Sequence, residues 1–342
     1  MSHHHDHAHP TVPDRPMSRR TLLKALAASS VAVGIGAAAM PAAASASTAF
    51  GARAAAAAPP VSAGKRLVPV NRIGIQLFTV RDKVSSLGFR AVFEELARIG
   101  YSEIEFAGYT QGNVGAITPQ EIRQLLDDNG LRATGAHVNL TPSNIDQQLE
   151  IAHVLGMPHL GQGGPIAGGY GGPLAKDPWM QAIGTWNQMG EKGRAAGIKL
   201  YLHNHAQEWG FTTDTNERVY DLYWENLNPE TVFFEMDVYW AHVGKFLYPG
   251  FEPIDYIKRD PRRFPILHLK DGKLNPNSAN GYDIVEFGAG NIDYTAFLSQ
   301  LRDRGQRFGM FEQDNASSVP VNPGNSLANA DRSYDNIAAL RG

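Results

Sequence analysis

Four segments of this chain end on side chains that can hold a metal ion or move a proton. They are KLYLHNH at Lys199–His205, VFFEMDVYW at Val232–Trp240, PILHLKD at Pro265–Asp271 and FGMFEQD at Phe308–Asp314. In each, an apolar run leads in and the polar groups arrive at its C-terminal end, as when a buried strand emerges into a site. Side chains alternate along a strand, so His268 and Lys270 share one face, and Glu235 shares a face with Asp237. Carboxylates combined with one or two imidazoles suit Mn²⁺, Zn²⁺ or Fe²⁺ better than Ca²⁺. The chain has no cysteine, which excludes disulfides, thiolate ligands and a cysteine nucleophile. Any metal must therefore be held by His, Asp and Glu.

Positioning these groups requires a scaffold in which strands and helices alternate. The strands read at Ile73–Val80, Glu103–Tyr109, Ala133–Leu140 and His159–Gly164 join the four above to make eight. Between them lie helical patterns. Phe89–Ile99 stops at Gly100; Thr118 caps a helix with Pro119 at its first position and Gly130 beyond its end. Ser143 is read as the cap of Asn144–Leu155, and Pro178–Ala196, Tyr220–Asn226 and Tyr294–Arg304 follow. Eight such units imply an α/β (β/α)8 TIM barrel, with a doubly wound open sheet as the alternative. The histidines agree with the barrel: His137, His159, His203, His205 and His268 fall on predicted strands and His242 just after one. The glycine-dense loop Gly161–Gly172 lacks the Gly-Lys-Ser/Thr ending of a phosphate loop. It reads as a mobile lid over the barrel mouth or as a plain connector.

The 342 residues, 43% hydrophobic and 19% charged, suffice for one barrel of roughly 250 residues plus extensions. The extension is N-terminal. Arg19 and Arg20, the weakly hydrophobic run Ala25–Met40 and Ala44-Ser45-Ala46 form a twin-arginine export pattern, with cleavage predicted after Ala46. Residues 1–46 are thus read as a signal peptide, 47–68 as a linker without structure, and 69–342 as the barrel with a C-terminal helix. His3, His4, His5, His7 and His9 belong to the discarded leader. Its loss removes four basic and two acidic residues and takes the net charge from −3 to about −5, which disfavours nucleic acid or another polyanion as partner. A secreted or cell-envelope protein without a stable membrane span is expected.

In order and position, HNHAQEW, FEMDVYW, HLKDGK, EFGAGNIDY and FEQD resemble the sugar phosphate isomerase/epimerase family, the xylose isomerase-like TIM barrels. The resemblance runs from about Ile73 to Asp314, and SYDNIAAL at Ser333–Leu340 is similar to the family's last helix. It implies one divalent metal, most often Mn²⁺, held on strands five to eight by Glu, Asp, His and Glu in that order. Carried over, the ligands are Asp237, His268 and Glu312, with His203 at the strand-five position in place of the usual glutamate and His205 and Glu208 as competitors. A metal chelated by adjacent hydroxyl and carbonyl oxygens of a sugar acidifies the neighbouring C–H and stabilises an enediolate. Glu312 is the expected base, with His203 and Lys270 assisting; His205, Glu208, Trp240 and Asp271 are expected around the substrate. Lys270 reads equally as a structural ion-pair member, Glu235 as its partner deeper in the barrel, and Trp209, Tyr239, Trp240 and Phe78 as an apolar wall. The activity implied is that of a secreted isomerase or epimerase on a small free or glycosidic carbohydrate. A β-eliminating lyase acting on a 3-keto sugar or glycoside, a nuclease of the endonuclease IV branch and a non-catalytic sugar-binding barrel are the competing readings.

Overall fold

Eight short parallel strands form the sheet: β1 (Ile73–Gln76), β2 (Glu103–Phe106), β3 (Arg132–Ala136), β4 (His159–Gln162), β5 (Lys199–His203), β6 (Val232–Asp237), β7 (Ile266–Leu269) and, after a two-stranded insertion, β10 (Phe308–Phe311). The computed structural model describes residues 64–170, 172–301, 307–318 and 325–342; the predicted leader and most of the predicted linker lie outside the described residues. Strand order is β3-β2-β1-β10-β7-β6-β5-β4, and the two ends meet at a parallel bridge between His137 and Gly161, leaving a nearly closed barrel. The register sets neighbours level: Asp237 on β6 lies beside His268 on β7, and Met310 on β10 beside His268 from the other side.

Alternation along these strands stacks the interior into layers. Tyr201, Phe233, Ile266 and Met310 form an apolar floor, all of them buried. Two residues further along β6 and β7 stand Glu235 and His268, and two further again Asp237 and Lys270, all fully buried. Gly161 has no side chain because the Tyr201 ring occupies the space a Cβ would need. Outside, helices α1 (Arg81–Ile99), α2 (Pro119–Asp128), α3 (Ile145–Leu155), α4 (Lys176–Ala195), α5 (Val219–Asn226), α6 (Val238–Leu247), α7 (Pro253–Arg259), α8 (Tyr294–Ser299) and α9 (Ser326–Ala339) surround the sheet. Phe89, Val92, Phe93 and Leu96 give α1 its buried stripe, each worth about 1.5–3 kcal/mol for the larger side chains.

Several boundaries differ from the sequence reading, each for a local reason. The Thr118 cap is present as a full capping box with Glu121, but Ser143 does not cap α3: Asn144 holds that position, and Ser143 Oγ instead bonds Thr141 Oγ1. Strand β6 stops at Asp237 because that carboxylate accepts from Trp240 N at 2.8 Å and starts α6, so Tyr239 and Trp240 are helical. Strand β1 likewise stops at Gln76, whose amide oxygen accepts from Phe78 N, which places Phe78 in a 3-10 turn. The end of the predicted linker is structured. Leu67 and Val68 are buried, and Leu67 N donates to Leu340 O at 3.1 Å. An antiparallel hairpin, β8 (Asp271–Leu274) with β9 (Tyr282–Val285), was not foreseen. No helix among the described residues is long and apolar enough to cross a membrane.

Candidate active site

The C-terminal ends of β5, β6, β7 and β10 deliver His203, Asp237, His268 and Glu312 to one place. Their ligand-capable atoms lie within 4.8 Å of one another, and all four residues are buried. His203 Nε2 is 3.3 Å from Asp237 Oδ2, and His268 Nδ1 is 3.1 Å from Glu312 Oε2 and 3.9 Å from Asp237 Oδ2. These are the four residues carried over by motif as metal ligands. Lys270, which has no exposed surface, sets its Nζ 2.7 Å from Glu312 Oε2, 2.9 Å from Asp314 Oδ2 and 3.1 Å from Asp237 Oδ2.

A second group lies deeper and shares His268. Glu105, His137, Glu235 and His268 also converge within 4.8 Å. His268 Nε2 is 2.7 Å from Glu105 Oε2 and 3.2 Å from Glu235 Oε2, and His137 Nε2 is 2.7 Å from Glu235 Oε2. Gln76 uses its oxygen on Phe78 N, so its Nε2 faces His137 Nδ1 at 3.0 Å and makes that nitrogen an acceptor. His137 therefore carries its proton on Nε2 and donates it to Glu235. Tyr201 donates its hydroxyl to Glu105 from below. With both deep carboxylates taking its Nε2–H, His268 turns Nδ1 toward Glu312, the arrangement in which a carboxylate orients a ligating imidazole.

Charge and burial pull these groups apart. Burial raises Glu105, and the adjacent Glu235 carboxylate adds to that, whereas in Glu235 the His268 and His137 imidazoles overcome burial and hold it well below the usual range. Burial also opposes the ionised form of Glu312, but Lys270 and His268 outweigh it and keep Glu312 low. Asp237 and Asp314 are raised chiefly by burial, against the pull of Lys270. For Lys270 itself burial is overcome by Asp237, Asp314 and Glu312, so the ammonium is retained. Burial, reinforced by the other imidazoles, depresses His203; burial, His203 and Lys270 depress His205. Five carboxylates (Glu105, Glu235, Asp237, Glu312 and Asp314) thus converge on one ammonium and three imidazoles. Burial would lower His137 and His268, but Glu105 and Glu235 outweigh it and raise both, His268 well above the usual imidazole range. The oxygen/nitrogen donor set of His203, Asp237, His268 and Glu312 fits a divalent metal ion.

Above the upper group opens a cavity of about 340 Å³, lined by Gln76, Phe78, Ala107, His137, Gly163, Tyr170, His203, His205, Glu312 and Asp314. Its described lining contains no lysine or arginine. Tyr170, from the glycine-dense loop, meets the His205 ring edge-on at 5.2 Å. The loop thus supplies a wall to the cavity.

The remaining predicted site residues lie elsewhere. Asp271 accepts from Gly272, Gly288 and Gly290 N and so ties the β8–β9 hairpin to the following loop. Glu208 is fully buried, accepts from His205 N at 3.0 Å and is pushed up to about 7 by burial. Trp240 packs against His205 behind the cavity wall. Trp209 belongs to the core, stacked on Tyr220 and Phe251, and Glu235 pairs with His137 and His268 rather than with Lys270. His159 is a core histidine: Nδ1 lies 2.9 Å from Thr134 O, and burial lowers it to about 4. Glu105, Gln76, Tyr170 and Asp314 were not singled out. Asp314 is legible by alternation, two residues past Glu312; Gln76 stands alone on its segment, and on β2 nothing local tells Glu105 from Glu103 two residues before it.

The family described as xylose isomerase-like TIM barrel matches residues 93–338. The structure is similar to a sugar phosphate isomerase/epimerase from Parabacteroides distasonis ATCC 8503, with a TM-score of 0.62 and 20% identity over 83% of this chain and 98% of that one. It is also similar to the probable 3-DHS dehydratase AsbF of Bacillus anthracis, with a TM-score of 0.56 and 14% identity over 77% and 97%. A third similar structure, the IOLI protein with a zinc atom, has a TM-score of 0.58 and 14% identity over 79% and 99%. Identities this low establish the shared fold. Among curated proteins, none matches the chain significantly in sequence.

Proposed function

The chain belongs to the xylose isomerase-like TIM barrel family, and from that premise we propose that it is a metal-dependent isomerase or epimerase of a small, uncharged carbohydrate. The observation that carries this reading is the convergence of His203, Asp237, His268 and Glu312 within 4.8 Å under the cavity. These four residues would hold one divalent ion, for which we propose Mn²⁺ with Zn²⁺ or Fe²⁺ as alternatives. Bound there, the ion would supply Lewis acidity toward the carbonyl and adjacent hydroxyl oxygens of a sugar.

The protein's own groups account for the rest. Glu312 lines the cavity and is kept ionised by Lys270 and His268, so it is the group placed to take a proton from the carbon beside the carbonyl. His205, which lines the cavity and is held neutral by burial, offers an imidazole nitrogen to a substrate hydroxyl. Phe78 and Tyr170 provide aromatic surface for a sugar ring, and a lining without lysine or arginine suits an unphosphorylated substrate better than a phosphorylated one.

A second reading, β-elimination from a 3-keto sugar or glycoside, is favoured by one specific feature. His203 stands where the family resemblance expects a glutamate, so the strand-five position offers the cavity an imidazole in place of a second carboxylate base. A similar structure described as a probable dehydratase has the same barrel. Incubation with Mn²⁺ and a panel of free, glycosidic and 3-keto sugars in D₂O, followed by NMR, tests both readings. Deuterium entering beside the carbonyl with a new epimer or ketose supports the first, and an unsaturated product the second. No exchange on any sugar rejects both. For residues 1–46 we propose a twin-arginine leader; N-terminal sequencing of secreted protein should begin at Ser47, and an intact N-terminus would refute it.

A further inference from the structure

We propose that Lys270 is a resident cation of this site. A divalent metal ion displaces its ammonium from Asp237 and Glu312, and Asp314 receives it. The inference rests on the metal reading above and concerns what sets the affinity. Lys270 Nζ sits 3.1 Å from Asp237 Oδ2 and 2.7 Å from Glu312 Oε2. Those are the same two oxygen atoms that face His203 Nε2 and His268 Nδ1, at 3.3 and 3.1 Å. The ammonium therefore holds the oxygens that a metal ion would use, and two cations on one oxygen pair repel strongly in a buried setting.

Asp314 resolves the conflict. It lies 2.9 Å from Nζ, it is outside the group of four donor residues, and it lines the cavity with its side chain 28% exposed. An ammonium moved fully onto Asp314 stays paired and leaves Asp237 and Glu312 to the metal. The Trp240 ring, 5.6 Å from Nζ to its centroid, offers the displaced charge an aromatic face as well.

The test is Mn²⁺ binding to the full 342-residue chain by calorimetry, with thermal unfolding of the metal-free and metal-loaded forms alongside. An Asp237→Asn/His268→Ala double variant gives the baseline for binding elsewhere, including the five N-terminal histidines. Lys270→Met should bind Mn²⁺ at least about 10-fold more tightly than the wild type, because a competing unit charge is gone. Without metal it should melt lower, and its metal-induced rise in Tm should be the larger. Asp314→Asn should move the other way and weaken Mn²⁺ binding by about 10-fold, with Asp314→Glu restoring it. A purely structural ion pair would weaken binding in both variants. Lys270→Met binding as weakly as Asp314→Asn, or unchanged affinity in Asp314→Asn, overturns the proposal while wild-type binding above baseline keeps the metal reading. Should Lys270→Met fail to fold, Lys270→Gln and Asp314→Asn decide the matter. Wild-type binding no higher than baseline overturns the metal reading and this proposal with it.

Discussion

Two groups of the same composition, each with two carboxylates and two imidazoles, share His268 at the centre of this barrel. The deep one, with Glu105, His137 and Glu235, is closed. Tyr201 donates to Glu105, Gln76 fixes the His137 tautomer, and both carboxylates take protons from imidazoles. The upper one, with His203, Asp237 and Glu312, is open: His203 and Glu312 line the cavity, and the Lys270 ammonium holds its carboxylates together. Donor types alone do not make a metal site. What separates the two groups is that the upper one carries the Lys270 ammonium on its carboxylates and meets the cavity through His203 and Glu312, whereas the deep one meets it only through His137.

The largest effect that would break this contrast is on turnover. Glu312→Gln keeps the size and one oxygen but removes the base, so turnover should fall by roughly 10²- to 10⁴-fold while some metal stays bound. Solvent-deuterium exchange as fast as in the wild type would show that Glu312 is not the base. Metal affinity comes next. Asp237→Asn and His268→Ala should each weaken Mn²⁺ binding by at least the roughly 10- to 100-fold attributed to orienting groups, whereas Glu235→Gln should stay within that range. Equal losses from Asp237→Asn and Glu235→Gln would mean that the two groups have equal claim on the ion.

Glu208 sharpens the comparison through pH. Its carboxyl is buried outside both groups and pushed up to about 7 from 4.5. An acid raised in the folded state binds more protons there than in the unfolded chain, so its contribution to stability falls as pH rises from about 4.5 to about 7 and is constant above. The shift corresponds to about 3 kcal/mol. Glu208→Gln should remove that slope in denaturant unfolding measured from pH 5 to 8 and leave Mn²⁺ affinity unchanged. If the slope persists, it belongs to the coupled carboxylates of the two groups. The smallest effect is a remote control. Thr118→Ala loses the α2 capping box and should cost about 1 kcal/mol of stability without altering metal binding. Altered binding would show that the site responds to the barrel's periphery.

From the amino-acid sequence come the eight strands, most of the helices between them though not α6 and α7, and, through the family resemblance, Asp237, His268 and Glu312, with His203 competing against His205 and Glu208 for the fourth place. The strands are legible because alternation and chain order act locally, and each apolar run visibly ends on a metal-capable side chain. The tertiary structure alone decided the rest. Asp237 and Gln76 each end a strand by bonding a backbone N–H a few residues on, which turned expected strand aromatics into helix or turn residues. Glu105, on β2, meets His268, on β7, only because the sheet curls round. No spacing in the sequence encodes that contact, since 163 residues separate the two. Which of two similar donor groups is open, and that Lys270 rests on three carboxylates at once, are likewise properties of closure and burial rather than of any one segment.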